Sequence, residues 1–380
     1  MLEVTLFAVI GRFQNFLSVS QKASNSRMNA LSIFSGCGGL DIGVESAGFV
    51  NIANIEFDKH AVKTLESWRD LNNKNNRIID VDITQINPII FKGEKIRLLH
   101  GGPPCQTFSL IGKRDSLEDP RGQLLFEVVR FAGVLKPKAI LIENVKGLLS
   151  APDEKGKRGG VFESFIKELT KLDYTTKWAV INAADYGIPQ RRERVFMVAM
   201  LGKNNFTFPI PTHSDEQEDF SLFPLLPYES AWKYIFNLPK PTLKGIKENF
   251  PNHVDVTPER DAERISFVPE GSYLSCQEDA PASIKMSLSK KDTTKYRRLS
   301  KIEPSLTLRG GEIFYHPTEN RYLTPREYMR IHTFPDKLVL QGPIRRRSGN
   351  VKNLDQHRQV ANAVPPKLAE IIANEILTVI

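Results

Sequence analysis

Short runs of apolar residues recur through the first half of the chain, and each run is bounded by polar or glycine-containing segments. The runs are five to eight residues long and lie at residues 30–34, 51–57, 96–100, 139–143, 177–183 and 194–201. The first four are almost continuously apolar, which predicts buried strands of a parallel sheet. The last two predict strands that complete the same sheet.

Segments with helical spacing separate the strand-like runs. Residues 58–68 place Ala61, Leu65 and Trp68 on one face of a predicted helix, and residues 121–137 repeat the same spacing up to a terminal proline. Because strands and helices alternate, the pattern predicts an α/β protein with an open, doubly wound sheet.

The pattern changes after the last predicted strand. From about Asn204 to Tyr296 the chain is rich in proline and polar residues and shows little sustained periodicity, which predicts a second, smaller and irregular domain. Residues 363–380 return to an amphipathic pattern, with Pro365 and Pro366 at the start of a predicted helix.

Composition indicates a globular protein with a basic surface. The chain has 380 residues, of which 41% are hydrophobic and 25% charged, and its formal net charge is +8. This length is sufficient for one large core and a smaller second domain. The positive charge suits a polyanionic partner such as nucleic acid, although a basic enzyme without such a partner fits the composition equally well.

Cysteine spacing and the amino-terminal segment set the expected compartment. Cys37, Cys105 and Cys276 are widely separated, without the paired Cys and His spacing of a zinc site, so we expect no metal and a reducing cytoplasm. The first apolar run ends before Arg12, too early to span a membrane. We interpret residues 1–27 as a dispensable leader.

A glycine-rich turn follows the first predicted strand. Gly36, Gly38 and Gly39 allow the backbone to approach a ligand at the carboxyl end of that strand, although such a turn is often only a tight connection. Glu56 ends the next strand about twenty residues later, where an acidic residue commonly binds ribose hydroxyls. The pair favours an adenosyl ligand, and the lack of the third glycine of the dinucleotide fingerprint favours a nucleoside cofactor other than NAD.

Cys105 follows two prolines at the end of another predicted strand. A lone cysteine is usually buried and inert. Pro103 and Pro104 restrict the backbone, however, and Lys113 and Arg114 lie in the segment that follows. Positive charge favours the thiolate and attracts phosphate, so the local sequence favours a nucleophile that acts on a polyanion.

Two further stretches end strands with chemically active groups. Glu143 ends the run at residues 139–143, where it is either a solvated strand end or a carboxyl group that transfers a proton. In the stretch at residues 186–196, alternation directs Gln190, Arg192 and Arg194 to one face. A solvated basic strand is the alternative interpretation.

The ordered set of motifs resembles the cytosine-C5 DNA methyltransferases of bacterial restriction-modification systems. The stretches FSGCGG, PPCQTFS, ENV and QRRERVF occur in the family's order, and they are joined by DVDITQI, RYLTPREYMRIHTFPD and QVANAVPP. The resemblance covers residues 28–380 apart from the middle segment. It implies a mixed sheet of the S-adenosylmethionine-dependent methyltransferase type and a target-recognition domain.

The resemblance implies S-adenosylmethionine as the cofactor and double-stranded DNA as the substrate. Cofactor-binding positions carried over from the family's motifs are Phe34, Gly36, Gly38, Gly39, Leu40, Glu56, Phe57, Asp82, Ile83, Pro104, Asn362 and Val364. DNA-binding positions are Gln106, Ser109 and Arg121.

The resemblance also implies how the reaction proceeds. The target cytosine is expected to flip out of the duplex, Cys105 adds to its C6 atom, and Glu143 holds or supplies the proton at N3. Arg192 steadies the base and Arg194 braces the site. The base that removes the C5 proton is not identified by the sequence.

The expected organisation follows from the positions of these motifs. After the leader we place a catalytic and cofactor-binding domain at residues 28–203, a target-recognition domain at 204–336 with a variable core at about 204–302, a linker at 337–356 and a terminal helix at 357–380 that returns to the catalytic domain. We expect a cytoplasmic monomer without membrane contact, paired functionally with a restriction endonuclease that it does not bind stably.

Three alternatives stay open. The first is a tRNA cytosine-C5 methyltransferase of the same fold, although the CFT motif of that type is not found in the middle segment. The second is an inactive DNA-binding protein, against which the intact Cys105, Glu143, Gln190 and Arg192 argue. The third, an NAD-dependent dehydrogenase, leaves those residues without a role.

Overall fold

A seven-stranded mixed sheet forms the centre of the protein. The computed structural model describes residues 28–104, 120–153, 155–215, 224–288, 295–344 and 353–380. The strands follow the order β3-β2-β1-β4-β5-β8-β6. They are β1 (Asn29–Ile33), β2 (Val50–Glu56), β3 (Arg77–Asp80), β4 (Leu98–Gly101), β5 (Ala139–Val145), β6 (Tyr174–Asn182) and β8 (Glu193–Leu201).

The five strands β1 to β5 are parallel, and β8 runs antiparallel to both β5 and β6. The expected α/β fold with a doubly wound mixed sheet is therefore confirmed. Helices cover the two faces of the sheet. The sheet together with the helices α1 (Gly39–Ser46), α2 (Lys59–Leu71), α3 (Pro120–Leu135) and α4 (Gly160–Lys171) is called the sheet lobe.

Alternation along β1 divides its side chains between two cores. Leu31 and Ile33 pack into a cluster that includes Phe131 of α3 and Phe165 of α4. Ala30 points to the other face, whose cluster contains residues of α1 and of the carboxyl-terminal helix. Because successive side chains of a strand face opposite ways, one short apolar run serves both cores.

An irregular lobe occupies much of residues 204–344. Its helices are α5 (Trp232–Ile235), α6 (Glu259–Ser266) and α7 (Pro325–Ile331), and its strands are only two residues long: β9 (His213–Ser214), β10 (Leu226–Pro227), β11 (Thr242–Leu243), β12 (Val254–Asp255) and β13 (Ser305–Leu306). The short strand β7 (Gln190–Arg191), which precedes β8, pairs with β13 and so joins the two lobes.

The carboxyl terminus contains two helices where the sequence predicts one. Helix α8 spans Gln356–Asn362 and α9 spans Pro366–Leu377. The break coincides with Pro365 and Pro366, because proline lacks the N–H that a continuous helix needs. Helix α9 packs on α1 so closely that a Cβ at Gly43 would lie 2.3 Å from the Pro366 carbonyl oxygen.

Candidate active site

One edge of the sheet gathers the residues that the motifs single out. The carboxyl ends of the parallel strands meet there, and β8 contributes its amino end because it runs in the opposite direction. Open α/β sheets bind ligands at this edge. Phe34, Glu56, Pro104 and Glu143 lie in or after four of these strands, and Arg194 is paired in register with Val145 at the end of β5.

Glu56 is tied directly to the glycine-rich turn. The Gly36 N–H donates to Oε2 of Glu56 at 2.7 Å, and the N–H groups of Phe57 and Asp58 donate to Oε1, each at 2.9 Å. Burial raises the pKa of Glu56, which these N–H donors oppose. The carboxylate therefore fixes the turn, and Oε2 retains one further position at which it can accept a hydrogen bond.

The turn adopts a left-handed backbone that leaves it open. Phe34, Gly36 and Gly38 have φ angles of 54°, 56° and 88°, and a Cβ at Gly36 would meet no atom within 4 Å. For a phenylalanine this conformation is strained, and such strain is concentrated at functional sites. Beside the turn, the Phe57 side chain is 63% exposed, an unusual exposure for a phenylalanine.

The other predicted cofactor residues lie in different environments. Ile83 and Leu40 are buried in the cores on opposite faces of the sheet, and Asp82 accepts from the N–H and hydroxyl of Thr84 as the cap of a short 3₁₀ helix, Ile83–Gln85. Val364 lies against the turn, since a Cβ at Gly39 would lie 2.3 Å from its carbonyl oxygen. Asn362 is exposed at the end of α8.

Glu143 forms the centre of the second half of the site. Its Oε1 lies 3.1 Å from Nε of Arg194, an ion-pair distance without hydrogen-bond alignment. A Cβ at Gly102 would lie 3.4 Å from its Oε2, and the neighbouring Asn144 donates from Nδ2 to the Pro103 carbonyl at 3.1 Å. The strand end β5 thus holds the chain that leads to Pro104.

Arg192 is almost fully buried and makes a different contact from Arg194. Its Nη2 donates to the Ala363 carbonyl at 2.9 Å, within the break between α8 and α9. Among the described residues, its Nε and Nη1 have no hydrogen-bond partner. Burial, followed by the charge of Arg194, lowers the pKa of Arg192 to about 9, and Glu143 opposes that shift. Two buried donors therefore remain available to a ligand.

His332 and Asn144 are buried polar residues that extend the site beyond the residues selected from the sequence. His332 follows α7, and its Nδ1 lies 3.0 Å from Nε2 of Gln190. Burial lowers the pKa of His332 well below its ordinary value, as do the charges of Arg192 and Arg194. His332 belongs to the RIHTFPD stretch, but no local pattern distinguishes its side chain. Asn144 was likewise recognised only as part of ENV.

An open cleft of about 540 Å³ adjoins Arg194. Its walls come from the end of β5, the end of β6, the start of β8 and the segment after β13, and its lining residues are Val145, Lys146, Gly147, Asn182, Arg191, Glu193, Arg194 and Thr307. The basic residues here are paired within the protein: Lys146 with Glu193 at 3.0 Å and Arg191 with Asp215 at 2.9 Å. The cleft is large enough for a ligand of nucleotide size.

The structure does not describe the side chains of four predicted site residues. Cys105, Gln106 and Ser109 lie outside the described residues. Arg121 lies in the first turn of α3, and its side chain is outside the described part as well. Their roles stay predictions.

The fold is shared with a protein of known structure, and the sequence matches a known family. The crystal structure of a prophage-encoded E. coli protein, assigned as a DNA modification methyltransferase, superimposes with a TM-score of 0.66 at 23% identity, covering 92% of this chain and 99% of that one. The family model described as C-5 cytosine-specific DNA methylase matches residues 28–378. The chain belongs to that family, and it is a cytosine-C5 DNA methyltransferase.

Curated relatives match over most of their length. The Type II methyltransferase M.NgoFVII of Neisseria gonorrhoeae is 33% identical over 364 residues, which cover 94% of this chain and 88% of that protein. M.Eco47II of Escherichia coli, also a Type II methyltransferase, is 33% identical over 371 residues, with coverages of 94% and 80%. Among the described residues, no helix is both long and apolar enough to cross a membrane.

Proposed function

We propose that the chain uses S-adenosylmethionine to methylate a cytosine flipped out of double-stranded DNA, with Cys105 as the nucleophile. One observation carries the proposal: the glycine turn with Glu56 and the pair formed by Glu143 and Arg194 lie along one edge of one sheet. A nucleoside cofactor and a base held at that edge would therefore be neighbours.

The cofactor fits the first half of the site. Glu56 uses three acceptor positions for backbone N–H groups and keeps one for a ribose hydroxyl. Phe57 offers an exposed apolar ring beside it, and the open backbone at Gly36 admits close approach. When bound, S-adenosylmethionine supplies an electrophilic methyl group. Leu40, Ile83 and Val364 support this half from the cores.

The second half of the site activates the cytosine. The Cys105 thiolate forms a bond to C6, and the electron pair of the C5–C6 double bond is redistributed toward N3, where Glu143 holds the proton. C5 would then carry enamine character and could bond to the methyl carbon that a bound S-adenosylmethionine supplies, with S-adenosylhomocysteine as the leaving group. Loss of the C5 proton to a base, return of the N3 proton to Glu143 and cleavage of the bond between Sγ and C6 restore the ring and the thiolate.

The two arginines act at different places in this scheme. Arg194 is paired with Glu143 and steadies that carboxyl group. Arg192 is anchored to the Ala363 carbonyl, and its Nε and Nη1, which have no hydrogen-bond partner among the described residues, would donate to polar atoms of a bound ligand. Charge-assisted donors of this kind are worth most where water is excluded.

The irregular lobe is the proposed target-recognition domain. Residues 204–336 supply it, with the variable core at about 204–302, and residues 28–203 supply catalysis. We further propose that the enzyme acts as a cytoplasmic monomer and protects DNA in a restriction-modification system, since its relatives are named Type II methyltransferases. Bisulfite sequencing of DNA from cells that express the protein would report the methylated cytosine and its sequence context.

A trapped covalent complex tests the chemistry. Fluorine at C5 cannot leave as a proton does, so duplex DNA with 5-fluorocytosine at the target position is expected to remain bonded to the enzyme. The complex should survive denaturing electrophoresis, require S-adenosylmethionine, and map to Cys105 by peptide mass spectrometry.

The matched control is Cys105→Ser, which is expected to form no complex. Equal trapping by that variant would show that the nucleophile is another residue. Trapping of fluorinated tRNA and never of DNA would instead support the RNA alternative.

A further inference from the structure

His332 of the irregular lobe makes a buried contact with Gln190 of β7, the short strand that precedes β8. It follows α7, is fully buried, and meets Gln190 across 142 residues of sequence. Gln190 is also fully buried, and its Oε1 accepts the N–H of Leu308 at 3.3 Å. The amide oxygen is therefore occupied by a donor, which directs the amide N–H₂ toward His332.

This arrangement determines the protonation state of the imidazole. Since Gln190 Nε2 donates, Nδ1 of His332 accepts and the single ring proton lies on Nε2. Arg192 and Arg194 of the catalytic segment and the Ala363 carbonyl face the ring, and burial together with those two positive charges lowers the pKa of His332 far below its ordinary value. The ring of Phe334 stacks on it, with 6.3 Å between centroids. These contacts require the His332 imidazole to be neutral.

Gln190 lies at the start of the segment that presents both arginines. Arg192 has only one hydrogen bond from its guanidinium to a described residue, the contact with Ala363. Its orientation consequently depends on the backbone that carries it. That backbone is held by Asn182, whose Oδ1 accepts the Arg192 N–H at 3.1 Å, by the Ala183 N–H, which donates to the Arg192 carbonyl at 2.9 Å, by the pairing of β7 with β13, and by the Gln190 side chain.

We propose that His332 is a positioning residue for methyl transfer: it holds the Gln190 amide and thereby fixes the segment that presents Arg192 and Arg194 to the substrate. The inference rests on the proposed roles of these arginines. Because His332 acts through Gln190 and the segment that follows it, its loss should lower kcat at saturating substrates and leave S-adenosylmethionine affinity unchanged. Misplacement of a catalytic group by about 1 Å costs about a hundredfold in rate.

Two substitutions at one position separate the hydrogen bond from the bulk of the ring. His332→Leu keeps an apolar side chain but removes the acceptor, and His332→Asn can offer Oδ1 to Gln190 near the position of Nδ1. With tritiated S-adenosylmethionine and unmethylated bacteriophage DNA, His332→Leu should lose about a hundredfold in kcat. His332→Asn should recover most of that loss.

His253 provides the matched control. It binds Thr324 Oγ1 at 2.8 Å and the Pro239 carbonyl at 2.7 Å, at the opposite end of α7 from His332. His253→Leu should lower the melting temperature and leave kcat unchanged. If His332→Leu retains wild-type kcat, or if both leucine variants lose kcat in proportion to their melting temperatures, the positioning role is refuted.

A measurement on the unaltered enzyme covers the case in which the leucine variant does not fold. Nitrogen-15 chemical shifts of the histidine rings should show His332 with a bare Nδ1 and a protonated Nε2 throughout the range in which free histidine titrates. A protonated Nδ1 would overturn the inference. Failure of the wild-type enzyme to methylate DNA would count against the proposed function instead, because the ring measurement does not depend on activity.

Discussion

The sheet lobe and the irregular lobe satisfy their backbones in different ways. In the sheet lobe, β6 and β8 pair in continuous register over nine residues, and β5 pairs with β8 over seven. In the irregular lobe, each paired strand is two residues long. Buried carbonyl groups there need other partners, since an unpaired buried polar group is costly.

Arginine side chains supply many of those partners. Arg298 donates to the carbonyls of Ile265, Val268 and Pro317. Arg326, fully buried, donates to the carbonyls of Pro251 and Leu338. In the irregular lobe, guanidinium groups therefore supply hydrogen bonds to backbone carbonyls that pairing between strands supplies in the sheet lobe. Irregular backbone can therefore be held in place when long cationic side chains reach several carbonyls at once.

A buried ion pair lies at the centre of the irregular lobe. Arg321 donates to both carboxylate oxygens of Glu327 at 2.9 and 2.7 Å, and the Thr324 N–H donates to the same carboxylate. Burial raises the pKa of Glu327, but the charge and hydrogen bonds of Arg321 outweigh it and the pKa lies below its ordinary value. This carboxylate is structural, whereas Glu143 of the sheet lobe is the proposed proton carrier.

The largest effect expected from this contrast concerns Glu143. Glu143→Gln keeps the shape of the side chain but removes its ability to carry the proton at N3, so kcat should fall about a thousandfold. Binding of S-adenosylmethionine, measured by calorimetry, should be unchanged, because the glycine turn and Glu56 form a separate half of the site. A variant with near-normal kcat would remove Glu143 from the proposed chemistry.

The next effect is on stability and concerns the irregular lobe. Glu327→Gln leaves Arg321 as a buried charge with a weaker partner, so the free energy of unfolding should fall by about 3 kcal/mol in urea denaturation. Glu229→Gln is the control, since Glu229 pairs with the exposed Lys233 and its loss should produce no resolvable change. Equal behaviour of the two variants would show that the buried pair does not stabilise this lobe.

A smaller effect is expected where the sheet lobe meets the carboxyl-terminal helix. Gly43→Ala places a Cβ 2.3 Å from the Pro366 carbonyl oxygen and 2.4 Å from Ala369 Cβ, so α1 and α9 must separate. We expect a loss of about 2 kcal/mol in the free energy of unfolding. Gly93→Ala is the control, because a Cβ there meets no atom within 4 Å. Equal stability of both variants would contradict this tight packing.

The sequence predicts the sheet lobe better than the irregular lobe. The reason is the different way in which the two lobes satisfy their backbone groups. Strands and helices of the sheet lobe have side-chain periods, so the run at residues 139–143 anticipates β5 at Ala139–Val145. The fold class and the family were predicted correctly. Bonds from Arg298 and Arg326 to distant carbonyls leave no period in the sequence, so the irregular lobe could be predicted only as irregular.

The candidate site shows the same limit. Alternation predicted that Gln190, Arg192 and Arg194 share one face; in the structure Gln190 and Arg192 are buried and Arg194 is partly buried. It could not reveal that Arg194 pairs with Glu143, that Arg192 binds the Ala363 carbonyl, or that His332 binds Gln190, since those partners come from remote segments. The motifs identified the candidate site residues, whereas the tertiary structure identifies their hydrogen-bond and ion-pair partners. The roles of these residues remain predictions until the substitutions are tested.

The smallest expected effect is a pH dependence of opposite sign in the two lobes. In the sheet lobe, burial raises the pKa of Asp41 from 3.8 to about 7, and the hydrogen bonds it accepts do not offset this. In the irregular lobe, burial lowers the pKa of His316 from 6.5 to about 4, although Glu327 and Glu319 face it together with Arg321 and Arg298. Both groups are therefore neutral in the folded protein at mildly acidic pH.

The sign follows from which state binds more protons as the pH falls from 6.5 toward 4. In the folded protein Asp41 binds a proton that the unfolded chain does not yet bind, so acidification increases the contribution of Asp41 to stability. In the unfolded chain His316 binds a proton that the folded protein does not bind, so acidification decreases the contribution of His316 to stability. Urea denaturation at both ends of this range should show that Asp41→Asn steepens the loss of stability on acidification and that His316→Asn lessens it, each by up to about 1 kcal/mol per pH unit. If both variants shift the slope in the same direction, the contrast between a carboxyl group held neutral in the sheet lobe and an imidazole held neutral in the irregular lobe is wrong.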